Sequence, residues 1–177
     1  MDKVCNMKEQ ELYIIRGASG VGKTTVLKHL KSVLDYGFLI DIDSIREKFC
    51  MMDWESGYSE YVNAQKITHV MVMEALRLGY GNVIVTDSFP EGLLKSFIDG
   101  IDFPVSVISL YCEPEELRRR LEVRGYPVYH LDKICKLNDA IRKHDLEESS
   151  ISVNRLIFID NTHKNENILD TLFSYTK

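Results

Sequence analysis

The sequence contains no apolar run approaching the roughly 20 residues of a membrane span, so a soluble chain with no membrane partner is expected. Its beginning, acidic at Asp2 and Glu9, lacks the apolar stretch of a signal peptide, which points to a cytoplasmic protein. Cys5, Cys50, Cys112 and Cys135 are widely spaced, with no C-x-x-C pair and no nearby histidine ladder. That spacing disfavours a zinc site and suits reduced thiols. Positive charge is in deficit: 22 Lys+Arg stand against 27 Asp+Glu, a net charge of −5. A general nucleic-acid binder with a basic surface is disfavoured, although a local basic channel is not. Repeats and low-complexity linkers are absent as well. What is present is 177 residues, 45% of them hydrophobic, enough to fill the core of a single domain spanning 1–177.

Strand and helix patterns alternate along the chain. Leu12–Ile15, Phe38–Ile40, Val83–Val85, Val105–Leu110 and Leu156–Ile159 read as short buried strands. Between them, Val26, Leu27, Leu30, Val33 and Leu34 recur at helical spacing, as do Ile67, Val70, Met71, Ala75 and Leu78 ahead of a stop at Gly79. Glu91–Asp99 is a weaker helix, and Glu113–Arg124 a stronger one with Pro114 suited to its first turn. Further helices are expected from about Leu131 to Glu148 and from Glu166 to Phe173. Five apolar strands alternating with helices predict an α/β fold with a parallel sheet covered on both faces. Ligands of such sheets bind at the carboxyl ends of the strands, and Gly17, Asp41, Asp87 and Asp160 fall there.

Gly17-Ala18-Ser19-Gly20-Val21-Gly22-Lys23-Thr24 satisfies G-x-x-x-x-G-K-[ST] at every fixed position. It lies between the first strand and a helix, the context that phosphate binding requires. Glycines let successive backbone N–H groups face a polyphosphate, and the helix N-terminus adds partial positive charge. Lys23 supplies a full charge for the β- and γ-phosphates, Thr24 a hydroxyl for Mg²⁺, and Thr25 extends the nucleotide-binding stretch. The segment predicts binding of a nucleoside triphosphate.

Asp41 and Asp43 leave the second strand two residues apart, a spacing that can turn both toward the phosphates. Asp43 is the candidate general base for an attacking hydroxyl and Asp41 its helper, while capping of the next helix by Asp43 or Ser44 is compatible with both roles. Arg46, one turn on, is placed to orient an anionic acceptor group or to form an ordinary salt bridge. Asp87 ends a hydrophobic run, where an acid can hold Mg²⁺ directly or through water. On a helical wheel Leu117, Arg120, Leu121 and Arg124 share a stripe, and arginines on a packed stripe call for an anion such as a migrating phosphoryl group. Arg118 and Arg119 point to solvent. Gly125-Tyr126-Pro127 breaks the helix, either as the hinge of a flap or as a rigid turn. Met51–Tyr58, aromatic and acidic, is either an acceptor pocket or a core-packed loop.

Together these residues resemble the small P-loop kinases: polynucleotide 5′-hydroxyl kinase domains, zeta-toxin-like kinases, and gluconate and shikimate kinases. The resemblance runs from about Leu12 to Leu172, and its layout is most similar to phage-type polynucleotide kinase domains. Asp43-Ser44-Ile45-Arg46 matches their D-x-x-R, Val83–Asp87 their hydrophobic run with its acid, and Arg120–Gly125 their R-x-x-x-R-G, with Asp132 following. The resemblance implies a three-layer P-loop NTPase fold with strand order 2-3-1-4-5 and a helical lid over about 125–148. It implies ATP and Mg²⁺ as cofactors, Asp43 as base and Arg124 at the transferring phosphate. Lys23, Asp43 and Arg124 are then the catalytic set, with Arg120 at the nucleotide, Asp41 and Arg46 at the acceptor, and Thr24 and Asp87 at the metal. Thr86-Asp87-Ser88 replaces the glycine-rich third-strand motif of shikimate kinases, and residues 47–61 carry more acids than bases, unlike a strand-binding channel. Asn161-Thr162-His163-Lys164 is not the N-K-x-D motif of guanine-specific GTPases. The expected activity is phosphoryl transfer from ATP to a hydroxyl of a small molecule or nucleotide. A polynucleotide 5′-hydroxyl acceptor and a nucleotide-hydrolysing regulatory switch are the alternatives.

Overall fold

A computed structural model describes residues 10–49, 58–90, 92–147 and 153–163. In chain order the elements are β1 (Glu11–Arg16), α1 (Lys23–Val33), β2 (Phe38–Asp41), α2 (Ile42–Arg46), α3 (Tyr58–Arg77), β3 (Asn82–Asp87), α4 (Leu93–Ile98), β4 (Val105–Tyr111), α5 (Pro114–Val123), α6 (Val128–Glu147) and β5 (Arg155–Asp160). The five strands form one sheet in the order β2-β3-β1-β4-β5, with every neighbouring pair parallel. Each expected strand is present.

Two hydrophobic clusters, one on each side of the sheet, follow from strand alternation. Tyr13, Ile15, Ile84, Ile108 and Leu110 pack with Val26 and Leu30 of α1, Leu117 and Leu121 of α5, and Leu131 of α6. Leu12, Ile14, Val83, Val85, Val105 and Val107 face the other way, onto Ile42 of α2, Val72 and Leu76 of α3, and Leu94 and Phe97 of α4. Because helices cover both faces, β1 and β4 are buried along their whole length.

Local chemistry sets the helix ends. Pro114 opens α5, where its missing N–H costs nothing, and Glu115 and Glu116 place negative charge on the first turn. At its other end the Gly125 N–H donates to the Glu122 carbonyl (2.9 Å) and the Tyr126 N–H to the Leu121 carbonyl (3.1 Å), with Gly125 at φ 75°. This is a Schellman turn, and only glycine adopts its left-handed conformation cheaply. Gly79 ends α3 in the same way, as expected.

The helix faces required correction. On α3 the expected stripe is right only in part: Ala75 is buried and Met71 packs against the core, but Val70 is 67% exposed and Leu78, beyond the helix end, 66%. Tyr61, Ala64, Gln65, Thr68, Val72 and Leu76 are buried instead. Hydropathy misled because two polar residues belong to the inward face. Val33 of α1 is likewise exposed, unlike Val26 and Leu30. α4 is shorter than expected, and α6 begins three residues early, directly after Pro127. The Glu166–Phe173 helix lies outside the described residues.

Candidate active site

The glycine loop leaves the central strand β1 and closes into α1. Its glycines are dictated by neighbours. At Gly22 (φ 114°) a Cβ would come within 2.5 Å of Asn161 Nδ2, and at Gly20 (φ 88°) within 2.9 Å of Leu117 Cδ1. Asn161, from the turn after β5, donates to the Val21 carbonyl at 2.7 Å and pins the loop from below. Gly22 also occupies the N-cap of α1 with no side-chain cap; the Thr25 N–H donates to the Gly22 carbonyl (3.0 Å), and the N–H groups of Lys23 and Thr24 remain for a ligand. Lys23 Nζ donates to the carbonyls of Gly17 (2.7 Å) and Ala18 (3.0 Å). Burial lowers its pKa, while Asp87, Asp43 and Asp41 oppose that shift and Arg124 adds to it. Arg124 stands exposed at the C-cap of α5 and is not one of the residues lining the cleft.

The carboxylates approach from β2 and β3. Asp41 ends β2 and caps α2, its Oδ1 accepting from the Asp43 N–H at 3.2 Å. The cap is therefore Asp41 rather than Asp43 or Ser44; Ser44 Oγ donates to the Asp41 carbonyl instead (2.6 Å). Burial, then the nearby Asp43 charge, raises the Asp41 pKa. Asp43, freed from capping, stands on the first turn of α2 with its carboxylate 3.1 Å from Arg46 Nη1. The Arg46 guanidinium lies 5.1 Å from the centre of the Tyr61 ring, so the salt bridge weighed from the sequence is present.

Asp87 is 2% exposed at the end of β3, in register with Arg16 at the end of β1. Its Oδ2 accepts from Tyr61 Oη (2.5 Å) and Gln65 Nε2 (2.9 Å), the polar residues on the buried face of α3. Burial raises its pKa against the effect of those two hydrogen bonds, and burial with the Asp87 charge drives the Tyr61 hydroxyl upward as well. Tyr61 and Gln65 were not singled out from the sequence; their i, i+4 spacing becomes a signal only once the face of α3 is known.

Arg120 has its anion within the chain. Nε donates to Glu116 Oε1 (2.8 Å), and Nη2 donates to the carbonyls of Asn161 (2.7 Å) and Thr162 (2.8 Å). The burial that called for a phosphate is thus already compensated, and α5 is tied to the turn that supports the loop. Arg119 pairs with the same Glu116 and Arg118 with Asp132, which joins α5 to α6.

A cleft of about 630 Å³ joins these pieces, lined by Ser19, Lys23, Asp43, Arg46, Glu47, Phe49, Ser88, Tyr126, Ile134 and Leu137. Lys23 and Asp43 share this cleft, whereas Asp87 sits behind its Ser88 rim. Tyr126, in the turn after α5, reaches the loop with its hydroxyl 3.1 Å from Ser19 Oγ. Glu47, Phe49, Ile134 and Leu137 carry no sequence motif, and only the fold, which brings the end of α2 and one face of α6 to the same cleft, reveals them. Residues 51–57 of the suggested acceptor segment lie outside the described residues, as does the Tyr58 side chain. Among the described residues no group of three or more His, Cys, Asp or Glu forms a metal centre; Cys112 and Cys135 are buried free thiols. No helix among them is long and apolar enough to cross a membrane.

The sheet order, the glycine loop after its central strand and the acids at the ends of the flanking strands define a three-layer α/β protein of the P-loop kinase-like class. The family profile described as an AAA domain matches residues 14–137, and the chain belongs to that family. No curated protein matches the sequence. Among solved structures, a candidate kinase from Chloroflexus aurantiacus J-10-fl is similar at TM-score 0.71 and 18% identity, covering 96% of this chain and 94% of that one. A sugar kinase from Janibacter sp. HTCC2649 gives TM-score 0.63 at 14% identity over 94% of both chains. Shikimate kinase from Acinetobacter baumannii gives 0.59 at 20% identity over 96% of both. At these identities the likeness is one of fold.

Proposed function

We propose that this protein is an ATP-dependent kinase that transfers the γ-phosphoryl group to a hydroxyl of a small molecule, with Asp43 as the general base. One observation carries the reading: Lys23 of the glycine loop and the Asp43 carboxylate line the same cleft. A hydroxyl between them has a proton acceptor on one side and phosphate-binding charge on the other.

The loop fits a triphosphate through its left-handed glycines and the first-turn N–H groups of α1. Lys23 supplies charge to the transferring group, and Arg124, whose charge is felt at Lys23, completes that role from the α5 end. Arg120 holds the Asn161–Thr162 turn at the nucleotide end of the cleft. Thr24 and Asp87 are the residues that would hold Mg²⁺, the Asp87 carboxylate being oriented by Tyr61 and Gln65. Bound there, the ion neutralises charge on the phosphates. Asp41 fixes the start of α2 and thereby the position of Asp43, while Arg46 holds the Asp43 carboxylate on its acceptor side. The segment from Gly125 through α6 forms the lid, with Tyr126 as its contact to the loop.

The test is transfer from γ-labelled ATP to a panel of sugars, nucleosides and a 5′-hydroxyl oligonucleotide. Loss of the base should reduce kcat by about 10²–10⁴-fold in Asp43→Asn, with ATP binding retained. An unchanged rate in that variant refutes the base assignment. Label found only as free phosphate returns the nucleotide switch to first place. A structure of the Pnkp1/Rnl/Hen1 RNA repair complex is also similar (TM-score 0.62, 19% identity, 81% of this chain and 48% of that chain), and labelled oligonucleotide would favour the polynucleotide reading.

A further inference from the structure

We infer that the acceptor is an alcohol with an apolar face and no anionic group, an inference that rests on the kinase reading above. The charges of the cleft carry it. Its charged lining residues are Lys23, Asp43, Arg46 and Glu47. Lys23 bonds the loop carbonyls and belongs to the phosphate end, and Arg46 is engaged by Asp43 at 3.1 Å and lies over the Tyr61 ring. Once Lys23 serves the phosphates, two carboxylates and one committed guanidinium remain on the acceptor side. Behind them stands Asp41, whose charge together with that of Asp43 acts on Lys23, while Asp87 belongs to the metal end. An acceptor carboxylate or phosphate would enter a field of its own sign with no lining cation to spare among the described residues. A single such like-charge encounter near a surface costs about tenfold in affinity or more.

The apolar lining supplies the second half. Phe49, just beyond α2, and Ile134 and Leu137, one turn apart on α6, also line the cleft, and all three are only partly covered by protein. The first packs on the core cluster of α2–α4 and the other two on that of α1, α5 and α6. They offer apolar contact to a ring or hydrocarbon face, while Asp43 and Ser88 line the polar side. The volume of about 630 Å³ lies in the range of small-molecule sites. Glu47, exposed at the C-cap of α2, is the specificity-determining charge: it lines the cleft but has no part in the proposed chemistry.

The experiment uses the full chain, Mg²⁺ and γ-labelled ATP with acceptors matched in skeleton and differing in charge: adenosine against AMP, and glucose against gluconate. A deproteinised cell extract is added as a source of further acceptors, and labelled products are separated by charge. The result expected is a product whose only anionic group is the new phosphate ester, with neutral acceptors favoured at least about tenfold in kcat/KM. In Glu47→Gln that preference should narrow several-fold while the KM for ATP stays unchanged. A labelled product bearing a carboxylate or a second phosphate overturns the inference and leaves the kinase reading standing. So does an unchanged preference in Glu47→Gln. If label stays in ATP or reaches only inorganic phosphate, equally in the wild type and Asp43→Asn, the kinase reading itself falls and this inference with it.

Discussion

The Asp87 carboxyl accepts hydrogen bonds from Tyr61 and Gln65, yet its burial disfavours the charged form, so its orientation depends on those two donors. Removing the Tyr61 hydroxyl leaves one donor fewer on Oδ2 and frees the carboxylate to turn. In Tyr61→Phe the Mg²⁺ concentration for half-maximal turnover should rise by roughly 10–100-fold, measured by titrating the metal at fixed ATP. Glu116 shows the opposite electrostatics. Hydrogen bonds from Arg119 and Arg120 lower its pKa from 4.5 to about 2. A depressed carboxylate contributes stability that is fully present above pH 4.5 and lost as pH falls toward 2. Glu116→Gln should therefore melt below the wild type at pH 7, and the difference should close across that acid window. Asp41 and Asp87, with raised values, contribute in the reverse sense: their burial costs stability at neutral pH and the cost diminishes on protonation.

Among the elements, α3 shows what periodicity can and cannot reveal. Its length and its stop at Gly79 are legible, because a glycine at C′ satisfies the last carbonyls in a conformation other residues resist. Its inward face is not legible, because the polar Gln65 and Thr68 lie on the buried side while Ile67 and Val70 face out. Leu76→Ala should cost about 2–5 kcal/mol through a cavity in the packed side. Val70→Ser, on the exposed side, should change stability by less than about 0.5 kcal/mol. Chemical denaturation of both variants checks the assignment, and equal costs would reverse it. In α5 the wheel identifies Leu117 and Leu121 as core and Arg120 as a charge needing compensation. The compensating anion, Glu116, lies one turn back on the same helix, where an i, i+4 pair is always available.

At the scale of the whole molecule, the loop is assembled by elements distant in sequence: Leu117 and Leu121 press on Gly20, Asn161 holds Val21, and Tyr126 meets Ser19. A ligand that binds only this assembled state stabilises it by mass action. ATP·Mg²⁺ at 100 times its Kd should add about 2.7 kcal/mol, raising Tm by roughly 5–10 °C for a chain of this size. Lys23→Ala should remove most of that shift; thermal melts with and without nucleotide make the comparison.

By itself the sequence determined the strands, the order of elements and the glycine loop, because these rest on local runs, caps and fixed spacings. It also brought Lys23, Asp41, Asp43 and Asp87 forward, since an acid or glycine motif at a strand end is a local signal. The tertiary structure decided which face of α3 is buried, that Asp41 caps α2, that Arg120 is satisfied by Glu116 and two carbonyls, and that Glu47, Phe49, Ile134 and Leu137 line one cleft. These are relations between helices that meet only on the folded sheet, and side-chain partners separated by a turn or by most of the chain leave no local pattern to read.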